Sequence, residues 1–325
     1  MLRTTHVGSL PKPTWLSEPN QLRSPWRLSG AMLAEGQNDA AAVWLDEQNR
    51  AGIDIVTDGE VRRRHYIWGF LDGLGEIDYE NQAMRKSRGQ RYAQQTAAPR
   101  ILSELRWTGT PVMLEALRFA KARTSKPVKV TLPGPMTVAD SIVDEHGKRD
   151  DREFAFMFAE IVNQEARALA EAGADVIQID EPCFNVYTDE VAAWGMQTLE
   201  RSFEGVKATR AVHICYGYGT GPVLKWKTQN KEWGHYAKTL PLLGASKLID
   251  QVSVECAASG VDLAVLEALR DKDVMVGVVD VGSDEVETPE VIAARIERAL
   301  RHVAPEHFIG CTDCGMVPRS RAAAV

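Results

Sequence analysis

Twice along this chain a helical segment ends in the same four-residue pattern, and a short apolar run follows at once. Ala51-Gly52-Ile53-Asp54 closes a helical period running from about Ala31, and Ala172-Gly173-Ala174-Asp175 closes another. Glycine just past the last helical residue can take the left-handed conformation that stops a helix. The runs that follow, Ile53–Thr57 and Val176–Ile179, are too short for helices and too uniformly apolar for half-exposed strands. They read as parallel strands buried on both faces. Six more such runs occur: Thr4–Val7, Val128–Leu132, Ala211–Cys215, Gln251–Glu255, Val274–Val279 and Phe308–Gly310. Eight strands, most separated by room for a helix, predict an α/β fold, a closed (β/α)8 TIM barrel. The alternative is an open doubly wound sheet, which usually carries a Gly-rich phosphate loop after its first strand. Here that strand runs into Gly8-Ser9-Leu10-Pro11 instead.

A barrel with decorated loops accounts for all 325 residues, so a single domain over 1–325 is expected. Two stretches exceed the plain pattern. One, about 62–109, is polar and rich in Arg, Gln and Tyr; the other, about 217–240, is rich in Gly, Lys and Trp. Long βα insertions lie on the catalytic face, as lids, docking surfaces or variable surface loops. The net charge is 38 − 45 = −7 with no basic stripe, which argues against nucleic-acid binding. No uncharged apolar run reaches the ~18 residues of a membrane span, and the start has no apolar signal core, so a cytoplasmic location is expected. Five cysteines, an odd and sparse number, point away from a disulfide framework and toward metal or reactive chemistry.

In such barrels chemistry sits at the C-terminal ends of the strands. Read in order, those ends are Ser9, Asp58-Gly59-Glu60, Pro133-Gly134-Pro135, Asp180-Glu181-Pro182, His213-Ile214-Cys215, Glu255-Cys256, Asp280 and Cys311-Thr312-Asp313-Cys314. Buried acids and thiols are costly unless used, so the clustering argues for one polar site. His213 and Cys215, two apart on a strand, point to the same side. With Glu255 from the next strand and Cys314 from the last, they supply one imidazole, two thiolates and one carboxylate, a set suited to tetrahedral Zn2+. Cys311 and Cys314 also form a Cys-x-x-Cys that reads as a redox pair, but no thioredoxin-like context surrounds it. Cys183 and Cys256 read as small buried hydrophobes. A thiolate-rich zinc suits holding a substrate thiol as thiolate, and Glu60 and Asp180 suit a substrate ammonium. The reaction class is alkyl transfer to a thiol.

The motifs Thr4-Thr5-His6-Val7-Gly8-Ser9, Asp58-Gly59-Glu60, Gln178-Ile179-Asp180-Glu181-Pro182, His213-Ile214-Cys215-Tyr216, Val254-Glu255 and Asp313-Cys314-Gly315 resemble, in order and spacing, the catalytic C-terminal half of cobalamin-independent methionine synthase. The resemblance spans Thr4 to about Met316. It implies a zinc barrel that methylates L-homocysteine to methionine, with zinc on His213, Cys215, Glu255 and Cys314. It places homocysteine near Val7, Gly8 and Ser9, with Glu60 and Asp180 on its amino-acid end.

The departures from that family are equally specific. Long members carry an N-terminal second barrel that is not found here. Their folate-stacking Trp matches Ser141, their folate-side acid Val186, an Arg before the third strand Gln94, and their proton-donating His Gly282. The thiol half is kept and the folate half is not, as in short core methionine synthases. The implied donor is therefore something other than methyl-folate: a methylated corrinoid protein, free methylcobalamin or another carrier, with an accessory protein as a possible partner. His6 and His65 are candidate replacements for the proton donor, with a structural role as the plainer reading. Trp226 and Trp233 could dock a partner or pack their own loop, and packing is the plainer reading. Arg62-Arg63-Arg64 could meet a polyanionic donor or form a solvated face, and the solvated face is expected. Two other readings are a zinc alkyltransferase for another thiol such as coenzyme M, and a non-catalytic zinc-barrel subunit.

Overall fold

The computed structural model describes residues 1–19, 23–85, 96–217, 221–230 and 233–325. Its strands are β1 (Arg3–Thr4), β2 (Ile77–Arg85), β3 (Thr96–Ile101), β4 (Lys129–Pro133), β5 (Val143–Asp144), β6 (Val176–Asp180), β7 (Thr209–Ile214), β8 (Gln251–Val254), β9 (Asp273–Val279) and β10 (Phe308–Thr312). Seven of them form one curled parallel sheet in the order β1-β10-β9-β8-β7-β6-β4. β4, β6 and β10 are buried at every position, as expected for strands covered on both faces.

The expected strand at 53–57 is not a continuous one. It makes isolated parallel bridges on both sides, Thr5 to Ile55 and Val56 to Val128. Ile55 N donates to Thr4 O at 3.1 Å, and Val56 N to Pro127 O at 3.0 Å. The ladder stops at Thr57 because a side chain takes over its backbone. Gln48 Nε2 donates to Thr57 O at 2.8 Å, and Thr57 N donates to Gln48 Oε1 at 2.9 Å. Gln48 lies on the helix Gly30–Arg50, so the helix itself positions the strand end that precedes Glu60.

Both helix-stop glycines behave as read: Gly52 has φ +78° and Gly173 φ +100°. The helix Asp151–Glu171 opens with a capping box between Asp150 and Glu153. Trp44 is buried against Leu10, Leu16 and Val61, and its Nε1 donates to Pro11 O at 2.8 Å. This pins the loop after β1 over the sheet.

The 62–109 insertion holds an antiparallel pair, β2 with β3, to which β5 adds in parallel. Glu165 anchors the chain that follows, accepting from Trp107 Nε1, Val112 N and Met113 N, each at 2.9 Å. The 217–240 insertion contains the helix Gly221–Gln229 and the start of the helix His235–Ala245. Its aromatics pack inward, as the plainer reading had it: Tyr216 meets Trp226, Trp233 and Tyr236 at ring separations of 5.9, 4.9 and 5.0 Å. No described helix is long and apolar enough to cross a membrane.

Candidate functional site

At the C-terminal ends of the parallel strands lies a cavity of about 400 Å3. Val7, Ser9, Glu60, Tyr66, Asp180, Pro182, His213, Cys215, Gly217, Cys314 and Gly315 line it. Seven of the nine site residues expected from sequence are on that lining, and Gly8 lies against Glu60 beside it. His213 is the penultimate residue of β7, Cys215 comes directly after that strand, and Cys314 lies two residues past β10. Their donor atoms lie within 4.8 Å of one another, and all three residues are buried.

The local chemistry of this trio fits a zinc ion. The two sulfurs are 3.5 Å apart, far beyond a disulfide. Two thiolates on one tetrahedral zinc at about 2.3 Å would be separated by about 3.8 Å. His213 Nδ1 is 2.8 Å from Ser253 Oγ, while its buried Nε2 has no hydrogen-bond partner. An imidazole held through one nitrogen with the other left bare is the usual arrangement of a metal ligand. The hydrogen bond with Cys314 pulls the Cys215 thiol well below the ordinary range, with help from His213 and the Gly217 amide at 3.3 Å; Cys314 rises in turn. Burial alone would depress His213, but the charge of Cys215 outweighs it and the net shift is upward.

Glu255 stands apart from the trio. Its Oε1 is 2.8 Å from Lys227 Nζ, and its Oε2 accepts from Tyr216 N at 2.9 Å. Burial pushes its carboxyl up to about 8, against the pull of Lys227. Lys227 belongs to the 217–240 insertion, so that segment supplies a buried cation beside the thiols. Sequence reading missed it; a lysine in a Trp- and Lys-rich helix carries no signal of burial.

Of the two acids, Asp180 ends β6 and accepts from Gln178 Nε2 at 2.8 Å. Burial pushes its carboxyl up to about 7. Glu60 sits in a left-handed backbone conformation (φ +57°) directly after Gly59 (φ +72°). Its carboxylate occupies the space a side chain at Gly8 would need, since a Cβ there would lie 2.5 Å from Glu60 Oε1. Arg63 is not part of a solvated face: it is 5 % exposed and pairs with Glu60 at 3.4 Å. Arg62 is half-buried against Phe119 and reaches Asn38, while Arg64 is exposed.

The other thiols go elsewhere. Cys311 Sγ donates to Thr312 O at 3.2 Å rather than facing Cys314, and none of the five cysteines is in a disulfide. His65 is structural: its Nδ1 accepts from Ile67 N and Trp68 N, its ring stacks on Trp68, and burial drives it down to about 3. His6 is pushed down to about 4, burial being the main cause, and is not on the cavity lining. On the folate side of the resemblance, Ser141 Oγ bonds back to Val138 O at 3.1 Å, and Val186 packs on the core. At Gly282 a Cβ would meet Asp280 Oδ1 at 3.0 Å and Leu224 Cδ2 at 3.1 Å. Gln94 lies outside the described residues.

The sequence matches the family described as cobalamin-independent synthase, catalytic domain, over residues 2–218 and 236–325. A methionine synthase of Saccharolobus solfataricus is 31 % identical, covering 99 % of this chain and 90 % of its own length. A B12-independent methionine synthase from Shewanella sp. W3-18-1, solved in complex with selenomethionine, superposes with a TM-score of 0.93 at 42 % identity. That match covers 100 % of this chain and 94 % of the other. A Methanosarcina mazei methyltransferase shares the fold, with a TM-score of 0.61 at 16 % identity over 98 % of this chain and 89 % of that one. The chain belongs to the catalytic-domain family of the cobalamin-independent synthases.

Proposed function

We propose that this protein is a zinc-dependent homocysteine S-methyltransferase that forms L-methionine and takes its methyl group from a donor other than methyl-folate. The observation that carries the reading is the His213, Cys215 and Cys314 trio opening on the same cavity as Glu60 and Asp180. Family membership and the methionine synthase relatives supply the reaction; the cavity supplies the roles. The chain acts as one catalytic unit over 1–325, its curled sheet closing as an eight-stranded barrel through the bridges at 55 and 56.

His213, Cys215 and Cys314 would hold the zinc, with Glu255 as a fourth ligand drawn from its pairing with Lys227. Bound there, zinc would lower the pKa of a substrate thiol so that it is present as the thiolate nucleophile at neutral pH. Glu60 and Asp180 receive the substrate ammonium, and the Val7-Gly8-Ser9 segment lies along the amino-acid end. Two acids on the lining favour an amino-acid thiol over a sulfonate thiol such as coenzyme M. Ser253 orients His213. Methyl transfer itself needs the thiolate in line with the methyl–donor bond: the sulfur–carbon bond forms as the carbon–donor bond breaks, and the pair stays on the donor. Gly282 offers no acid to protonate that donor, which favours a leaving group that needs none, such as a corrinoid. A cytoplasmic site of action is part of the same reading.

The test is a donor panel with L-homocysteine: methyl-folate, its polyglutamate, methylcobalamin and cell extract. Methionine is expected with methylcobalamin or extract, and with neither folate. Turnover on methyl-folate alone would overturn the donor reading; none with any donor would overturn the activity.

A further inference from the structure

We infer that Arg63 and Thr131 are positioning residues for Glu60, and that the pair makes the cavity select thiols bearing an ammonium group. The inference rests on the homocysteine reading above and adds what enforces its specificity.

The direction of the hydrogen bonds follows from donor counts. A guanidinium has only donors, and a threonine hydroxyl has one proton. Arg63 Nη2 donates to Thr131 Oγ1 at 2.6 Å, and Thr131 Oγ1 is 2.7 Å from Glu60 Oε1. The hydroxyl accepts from Arg63 on a lone pair and gives its single proton to Glu60, whose carboxylate can only accept. The relay therefore runs one way, from Arg63 through Thr131 to Oε1. Arg63 is itself clamped to β4, since its Nη1 donates to Thr131 O at 3.1 Å. All three side chains are buried, Arg63 to 5 %, Thr131 to 3 % and Glu60 to 4 % exposure.

The consequence is an asymmetric carboxylate. Oε1 is committed to Thr131 and Arg63, whereas no described hydrogen bond engages Oε2, and Glu60 lines the cavity. Two further cations lie near Glu60: Lys129 donates to His6 O, and Lys12 stands over the Trp26 ring. Glu60 also starts from a left-handed backbone that a non-glycine residue adopts at a cost, so its aim needs bracing. Held this way, Oε2 presents an acceptor to a donor entering the cavity, and an ammonium fits it best. A ligand with no ammonium leaves that acceptor desolvated and unpaired, and is rejected for that reason.

The probes are L-homocysteine and 4-mercaptobutanoate, the same thiol acid without its amino group. Binding of each to the zinc-loaded full chain is measured by calorimetry for the wild type, Arg63→Met, Thr131→Val and Thr131→Ser. The wild type should prefer homocysteine. Arg63→Met and Thr131→Val should weaken homocysteine by about tenfold or more and leave 4-mercaptobutanoate unchanged, with zinc content intact. Thr131→Ser, which restores the hydroxyl, should restore the preference. Equal weakening of both thiols, or no weakening in Thr131→Val, would overturn the inference. A wild type that binds both thiols equally would overturn it too, while leaving the thiol site standing. A zinc-loaded wild type that binds neither would overturn the homocysteine reading and this inference with it.

Discussion

The two ends of the cavity are built on different principles. The sulfur end draws His213 from the rigid terminus of β7 and its thiols from the residues just past β7 and β10. Its aim comes from strand geometry, and one serine suffices to set the imidazole. The acid end depends on braces: Glu60 sits on a strained turn and needs Thr131 and Arg63, and Asp180 needs Gln178. Soft ligands at strand ends tolerate a simple scaffold because the metal completes their order. A carboxylate meant for an ammonium must be held before the ligand arrives.

If that contrast holds, lesions at the two ends should separate cleanly. The largest effect is expected at the sulfur end. Cys215→Ser or Cys314→Ser should reduce zinc from about one per chain to a small fraction by elemental analysis, and lower methionine formation by about a thousandfold or more. Retained zinc with retained activity would break the comparison. Next is the charge pair that joins the 217–240 insertion to the site. Lys227→Met strands the buried Glu255 and should cost about 3–5 kcal/mol in urea unfolding of the zinc-free protein. Adding Glu255→Gln should recover much of that loss; no recovery would mean the pair is not coupled. At the acid end, Glu60→Gln should weaken L-methionine binding by about ten- to a hundredfold while zinc stays bound. Loss of zinc in that variant would erase the distinction between the two ends.

The smallest effect is in pH. Asp180 is raised to about 7 by burial, so it is increasingly protonated below that pH and carries its charge above it. An ammonium needs the charged form, so L-methionine binding should strengthen by a few-fold from pH 6 to pH 8. Asp180→Asn should flatten that slope. A slope that survives in Asp180→Asn would assign it to another group.

The same contrast explains what was legible in the sequence. Strand ends announce themselves, because apolar runs mark the strands and the residues that follow them are unusual. His213, Cys215, Cys314, Glu60 and Asp180 were all found that way, and each lines the cavity. The segment 53–57 was legible as apolar, yet its ladder was cut short by Gln48, a polar residue inside a helix that no periodicity singles out. The β2–β3 pair was missed because Ile77–Arg85 is half-exposed and polar, without clean alternation. Arg63 was read as part of a solvated face, and Lys227 was not singled out, because sequence cannot say that a distant acid waits in the core. Glu255 was expected among the metal ligands, but the neighbour that competes for it, Lys227, comes from an insertion with no motif.

The central proposal is that homocysteine sulfur joins a zinc held by His213, Cys215 and Cys314. X-ray absorption at the zinc edge tests it most directly, on the zinc-loaded chain before and after addition of L-homocysteine. The expected result is one additional sulfur at about 2.3 Å from zinc. An unchanged coordination shell in a protein that has bound homocysteine would contradict it.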